Sequence, residues 1–145
     1  IRPYGNFVVD PEKGILWAYV MRNKPYQTRF FAFSLPRFTE GEVGEFEIPQ
    51  VILEKKDILR SFDTPFCGCI QGGVFHKGKI YSVEGLKDHP DHVPALRIIN
   101  TETEREEEHI PLRPLGLQSE PEMIDFDGDT CYFSNCEGGL YTLEF

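Results

Sequence analysis

Metal-ligand residue types crowd closest together in Asp88-His89-Pro90-Asp91-His92. His89 and His92 stand three residues apart, and imidazole suits zinc or copper. No Cys or third His completes a ligand set nearby in the chain. A polar surface loop that meets a partner is therefore the expected role of this segment. Asp125-Phe126-Asp127-Gly128-Asp129 has the opening of a calcium loop, but the Glu required at its twelfth position is missing. A hairpin turn built on Asp-Gly explains it fully. The cysteines Cys67, Cys69, Cys131 and Cys136 form no Cys-x-x-Cys pair. Cys67-Gly68-Cys69 closes too short a loop for an easy disulfide, and Cys131 and Cys136 could meet only across a bend. Buried packing as small apolar groups is the expectation for the cysteines. The four do not settle the redox compartment. Nucleophile elbows, phosphate-binding Gly-rich loops and His-Glu-x-x-His motifs are absent, and Ser119 has no base near it in sequence.

Charge and hydropathy narrow the classes further. The 15 Lys and Arg against 24 Asp and Glu leave a net charge of −9 in 145 residues. That balance argues against a broad nucleic-acid-binding face. No stretch approaches the roughly 18 apolar residues of a membrane helix. Hydrophobic residues make up 40%, enough for a packed core. The opening Ile1-Arg2-Pro3-Tyr4 is neither a signal peptide nor an initiator Met, so an excised or processed piece is expected.

The elements that must position these residues read as all-β. No window of 11 or more residues has helical apolar spacing. The nearest, Val51 to Leu59, fits a strand and turn equally well. The 13 Gly and 11 Pro punctuate short runs of Val, Ile, Phe and Tyr. Three hairpins repeat one theme, with Gly-containing turns at Pro11-Glu12-Lys13-Gly14, Lys77-Gly78 and Asp127-Gly128-Asp129. A third strand follows each: Arg29 to Leu35, Ala95 to Asn100, and Leu140 to Phe145. A fourth, more polar strand is expected at roughly Phe46 to Leu53 and at Arg105 to Leu112. The acidic run Thr101 to Glu108 reads as a solvated hairpin guarding a sheet edge with charge. Four-stranded units that recur at tens of residues are the pattern of propeller blades. The first step is the longer, which fits an insertion in the stretch Pro36 to Pro49. Residues 1–145 thus form a single all-β domain, with antiparallel four-stranded blades at roughly 4–65, 66–117 and 118–145. A stand-alone β-sandwich is the alternative.

Gln71-Gly72-Gly73-Val74-Phe75-His76-Lys77-Gly78-Lys79-Ile80-Tyr81 and Glu120-Pro121-Glu122-Met123-Ile124-Asp125-Phe126-Asp127-Gly128 read as blade openings. Ala95 to Thr103 and Gly139 to Leu143 read as blade closings. On these segments the chain resembles bacterial six-bladed β-propellers of the TolB-like and NHL-like kind, over nearly its whole length. The resemblance implies a disc with a lined channel that binds a ligand or partner on one face, without implying one reaction. About 11 strands make nearly three blades, so the chain is expected to be the C-terminal half of a six-bladed ring. It would be completed by the missing half of the same precursor or by a second copy.

On that reading Gln71, Glu120 and Glu122 stand at the channel mouth as ligand-binding residues. The expected function is an extracytoplasmic, periplasmic or cell-surface binding module for a protein, peptide or glycan, with no catalytic residue and no cofactor. One alternative, implied by the resemblance, is a lactonase- or esterase-like hydrolase with a central Ca²⁺. Glu120 and Glu122 would be its candidate ligands, with His89 and His92 as further metal candidates. The partial pattern, with neutral Gln71 where the next blade has acids, weakens this alternative. A purely structural assembly module is the other.

Overall fold

The computed structural model describes residues 6–23, 26–37, 41–44 and 47–145. The expectations resting on Ile1 to Tyr4 and on Phe46 lie outside these residues. The described chain is all-β, apart from 3-10 turns at Lys55–Asp57 and Arg113–Leu115.

Strands β1 (Asn6–Asp10), β2 (Ile15–Asn23) and β3 (Tyr26–Ser34) form an antiparallel meander. A short exposed ribbon follows, β4 (Glu42–Val43) against β5 (Pro49–Gln50). The chain then returns as β6 (Arg60–Pro65), which pairs with β3 and completes a sheet of order β1-β2-β3-β6. The fourth strand is therefore Arg60–Pro65, not the expected Phe46 to Leu53. Phe62 decides the choice. It is buried, stacks on Phe30 with ring centroids 5.0 Å apart, and meets Trp17 edge-on at 5.7 Å. Val51 and Ile52 are exposed and find no such partner. Pro49 also lacks the N–H an inner ladder position requires.

The second sheet runs β7 (Ile70–His76), β8 (Lys79–Glu84), β9 (Ala95–Asn100) and β10 (Arg105–Pro111), in simple meander order. The third has β11 (Pro121–Asp127), β12 (Thr130–Asn135) and β13 (Leu140–Leu143). The expected hairpins form. Lys77 and Gly78 both take positive φ, 46° and 80°, as a two-residue type I′ turn requires. Gly128, at φ 58°, takes the first central position of the β11–β12 turn.

The second sheet is buried on both faces. Ile80 and Ile99 pack with Val8, Trp17, Tyr19, Phe30 and Phe62 of the first sheet. Tyr81, Val83, Leu96 and Ile98 pack with Ile124, Cys131 and Phe133 of the third. Double burial explains why β8 and β9 carry apolar residues on both faces instead of alternating, with Ser82, Glu84 and Arg97 buried among them. Each of these side chains contributes about 1.5–3 kcal/mol when fully buried.

The first strands of the three sheets lie side by side, β1 against β7 and β7 against β11, whereas the fourth strands β6 and β10 touch far less. Two glycines permit this approach. A Cβ at Gly72 would lie 2.5 Å from the Glu122 carbonyl oxygen, and one at Gly73 would lie 2.3 Å from the Tyr19 hydroxyl.

Candidate functional site

The second and third sheets open their first strands in the same way. Ile70 opposes Glu84 and Gly72 opposes Val83, which leaves Gln71 as the extra residue of a bulge. Pro121 opposes Asn135 and Met123 opposes Ser134, which leaves Glu122 in the corresponding position. Matching backbone bonds close both ends: Gly85 N–H donates to Cys69 O at 2.9 Å, and Cys136 N–H donates to Glu120 O at 3.0 Å. A bulge breaks the alternation of the ladder and re-aims a side chain.

The structure brings together the three residues expected at the mouth. The Gln71 side-chain amide donates to Gly85 O at 3.2 Å and to Glu120 Oε2 at 3.5 Å. Glu120 Oε1 accepts from the Lys87 backbone N–H at 3.1 Å. Ligand atoms of Glu120, Glu122 and Cys136 lie within 4.8 Å of one another. Lys87 pairs through its ammonium with Glu137, whose bond and charge hold its pKa above the ordinary lysine value. The half-buried Cys69 thiol is also pushed up, first by burial and then by Glu120, Glu84 and Glu122. The mouth is thus an acidic patch with one neutral amide.

This corrects part of the cysteine expectation. Cys67 and Cys131 are buried, but Cys136 is exposed in the turn after β12 and joins the carboxylates. By itself the donor set falls short of what calcium requires. Ca²⁺ takes six to eight oxygens, and the group offers two carboxylates and one soft thiol.

His89 and His92 do not join this group. Their rings lie 4.4 Å apart, and Asp91 N–H donates to His89 Nδ1 at 3.2 Å. Both are half-buried, and His92 leans on Gly68, where a Cβ would lie 2.1 Å from its Nδ1. Asp88, Pro90 and Asp91 are exposed, as a surface loop requires, and the glycine of Cys67-Gly68-Cys69 makes room for the His92 imidazole.

His92 lines a cavity of about 540 Å³, together with Tyr26, Phe66, Glu84, Arg97 and His109. Arg97 is only 8% exposed. Its Nε donates to Glu84 Oε2 at 2.8 Å, its Nη1 to Glu106, and its Nη2 to Phe66 O at 3.1 Å. His109 Nε2 lies 3.1 Å from Glu84 Oε1. Burial alone would weaken the guanidinium's hold on its proton. The bonds and charges of Glu84, then Glu106, outweigh it and raise the Arg97 pKa. Sequence reasoning missed this network, although a charged residue inside Ala95-Leu96-Arg97-Ile98-Ile99 was its signal. It also took the whole acidic run as solvated. Glu106 turns inward to Arg97, and the ladder slips between Glu106 and Glu108.

No helix among the described residues is long and apolar enough to cross a membrane. No family model matches the chain, and no curated protein matches it. Among solved structures it is similar to the "Crystal structure of the computationally designed Ika4 protein", at 9% identity and a TM-score of 0.42, over 98% of this chain and 91% of that one. A likeness at that level assigns no fold family.

Proposed function

We propose that the three sheets are consecutive blades of a six-bladed β-propeller of the TolB-like or NHL-like kind. The protein is then an extracytoplasmic binding module, not an enzyme. A protein, peptide or glycan seats where Gln71, Glu120 and Glu122 meet. The observation that carries the reading is the shared opening of β7 and β11, with Gln71 and Glu122 bulged at equivalent positions. Packing of first strand on first strand supports it, since propeller blades converge on their innermost strands. Three blades do not close a ring, so the missing half of a precursor or a second copy completes it.

Glycan and peptide arrays probed with the wild type and with Glu120→Gln/Glu122→Gln test the binding role. Binding that the double variant loses supports it. Binding that survives the double variant, or no binding on any array, overturns it.

A calcium-dependent hydrolase comes second. Convergence of two carboxylates favours it, and their small number counts against it. A rise in Tm of several degrees with millimolar calcium, reversed by chelator, would reverse this order.

A further inference from the structure

The cavity between the first two sheets has a different chemistry from the mouth. Its outer wall is aromatic, with Tyr26 edge-on to Phe66 at a centroid distance of 5.8 Å. Its inner wall is the Arg97 network. That guanidinium is spent: Glu84, Glu106 and the Phe66 carbonyl take its three nitrogens. Among the residues that line the cavity, Glu84 and Asp91 stand against Arg97 alone, a formal balance of 1 − 2 = −1 with the histidines left out of the count. The volume of about 540 Å³ falls in the range of small-molecule pockets. An aromatic wall beside a lining with one carboxylate in excess suits a cation, through both Coulomb attraction and the ring quadrupole. An anion would meet carboxylates and a guanidinium already neutralised.

We infer that this cavity binds a small organic cation, an ammonium group carried on an aromatic or apolar body. The apolar body lies against Tyr26 and Phe66, and the ammonium points at Glu84 and Asp91. The inference needs only the first two sheets and does not rest on ring closure.

Three probes of one shape test it: 2-phenylethylammonium, 2-phenylethanol and 3-phenylpropionate, each titrated into the ¹⁵N-labelled chain. The ammonium should shift the amides of Gly68, Cys69, Gly85 and Ala95 saturably, about tenfold more tightly than the alcohol, a difference of about 1.4 kcal/mol. The carboxylate should be weakest. Tyr26 is 71% exposed, so Tyr26→Ala should weaken the ammonium about fivefold without lowering Tm. Asp91→Asn, also at an exposed residue, should narrow the gap between ammonium and alcohol. The inference is overturned if the carboxylate binds as tightly as the ammonium. It is also overturned if no probe saturates, if the shifts fall at Glu120 and Glu122 instead, or if Tyr26→Ala binds like the wild type. A monomeric chain that still binds the ammonium would remove the ring completed by a second copy while leaving the cavity standing.

Discussion

Arg97 is a buried guanidinium held between two carboxylates. A buried ion pair gains little over an apolar replacement, but breaking one side leaves a charge uncompensated. Arg97→Met should therefore cost about 3–5 kcal/mol in urea unfolding. Adding Glu84→Gln and Glu106→Gln should recover part of that loss, and a triple variant as unstable as Arg97→Met would refute the ion-pair account. The buried thiols give a second prediction. Burial raises Cys131 from 9.0 to about 11 and raises Cys67 and the Tyr19 hydroxyl as well. The folded chain thus keeps protons that the unfolded chain releases. That stabilisation is fully present below pH about 9 and is lost as pH climbs through 11. Unfolding free energies at pH 8 and pH 10 should show the loss, and Cys131→Ala should reduce the difference between them. At this scale the meeting of Gln71, Glu120 and Glu122 was legible because all three sit at or beside strand starts, which local pattern fixes. The Arg97 partners were not. Glu84 and Glu106 reach it only through the pairing of three strands, which no local spacing displays.

Strand packing turns on the glycine pair of β7. Gly72→Ala would drive a Cβ into the backbone of β11, so both strands must shift. Gly14→Ala meets no neighbouring atom and suffers only from its φ of 61°, at about 1 kcal/mol. Thermal melts should rank Gly72→Ala below Gly14→Ala by several degrees, and the reverse order would show that β7 and β11 are not in close contact. The hairpins were readable because their turn residues are prescribed by backbone geometry. The fourth strand of the first sheet was not. Phe46 to Leu53 and Arg60 to Pro65 have similar local character. The stacking of Phe62 on Phe30, between residues 32 positions apart, separates them, and no local spacing displays it.

The molecule as a whole ends in two sheet faces of mixed character. Phe7 and Val9 are 53% and 41% exposed on the first sheet, and Met123 and Leu140 are 69% and 72% exposed on the third. Exposed apolar side chains favour association, while a net charge of −9 opposes it. Sedimentation should show a dimer that strengthens as salt rises and screens the repulsion. Met123→Glu/Leu140→Glu should weaken it by about tenfold, roughly 1.4 kcal/mol. A monodisperse monomer at high salt would remove the support for a half-ring completed by a second copy.

The matched bulges have one further consequence. Gln71 and Glu122 hold the same place in successive sheets but differ in charge, and Glu120 stands where the preceding sheet has Cys69. A ring of identical positions would accept a ligand in several equivalent rotations. Here the repeat has diverged where its side chains meet, so on the proposed blade reading a bound molecule with one basic end would have a single favoured compass bearing.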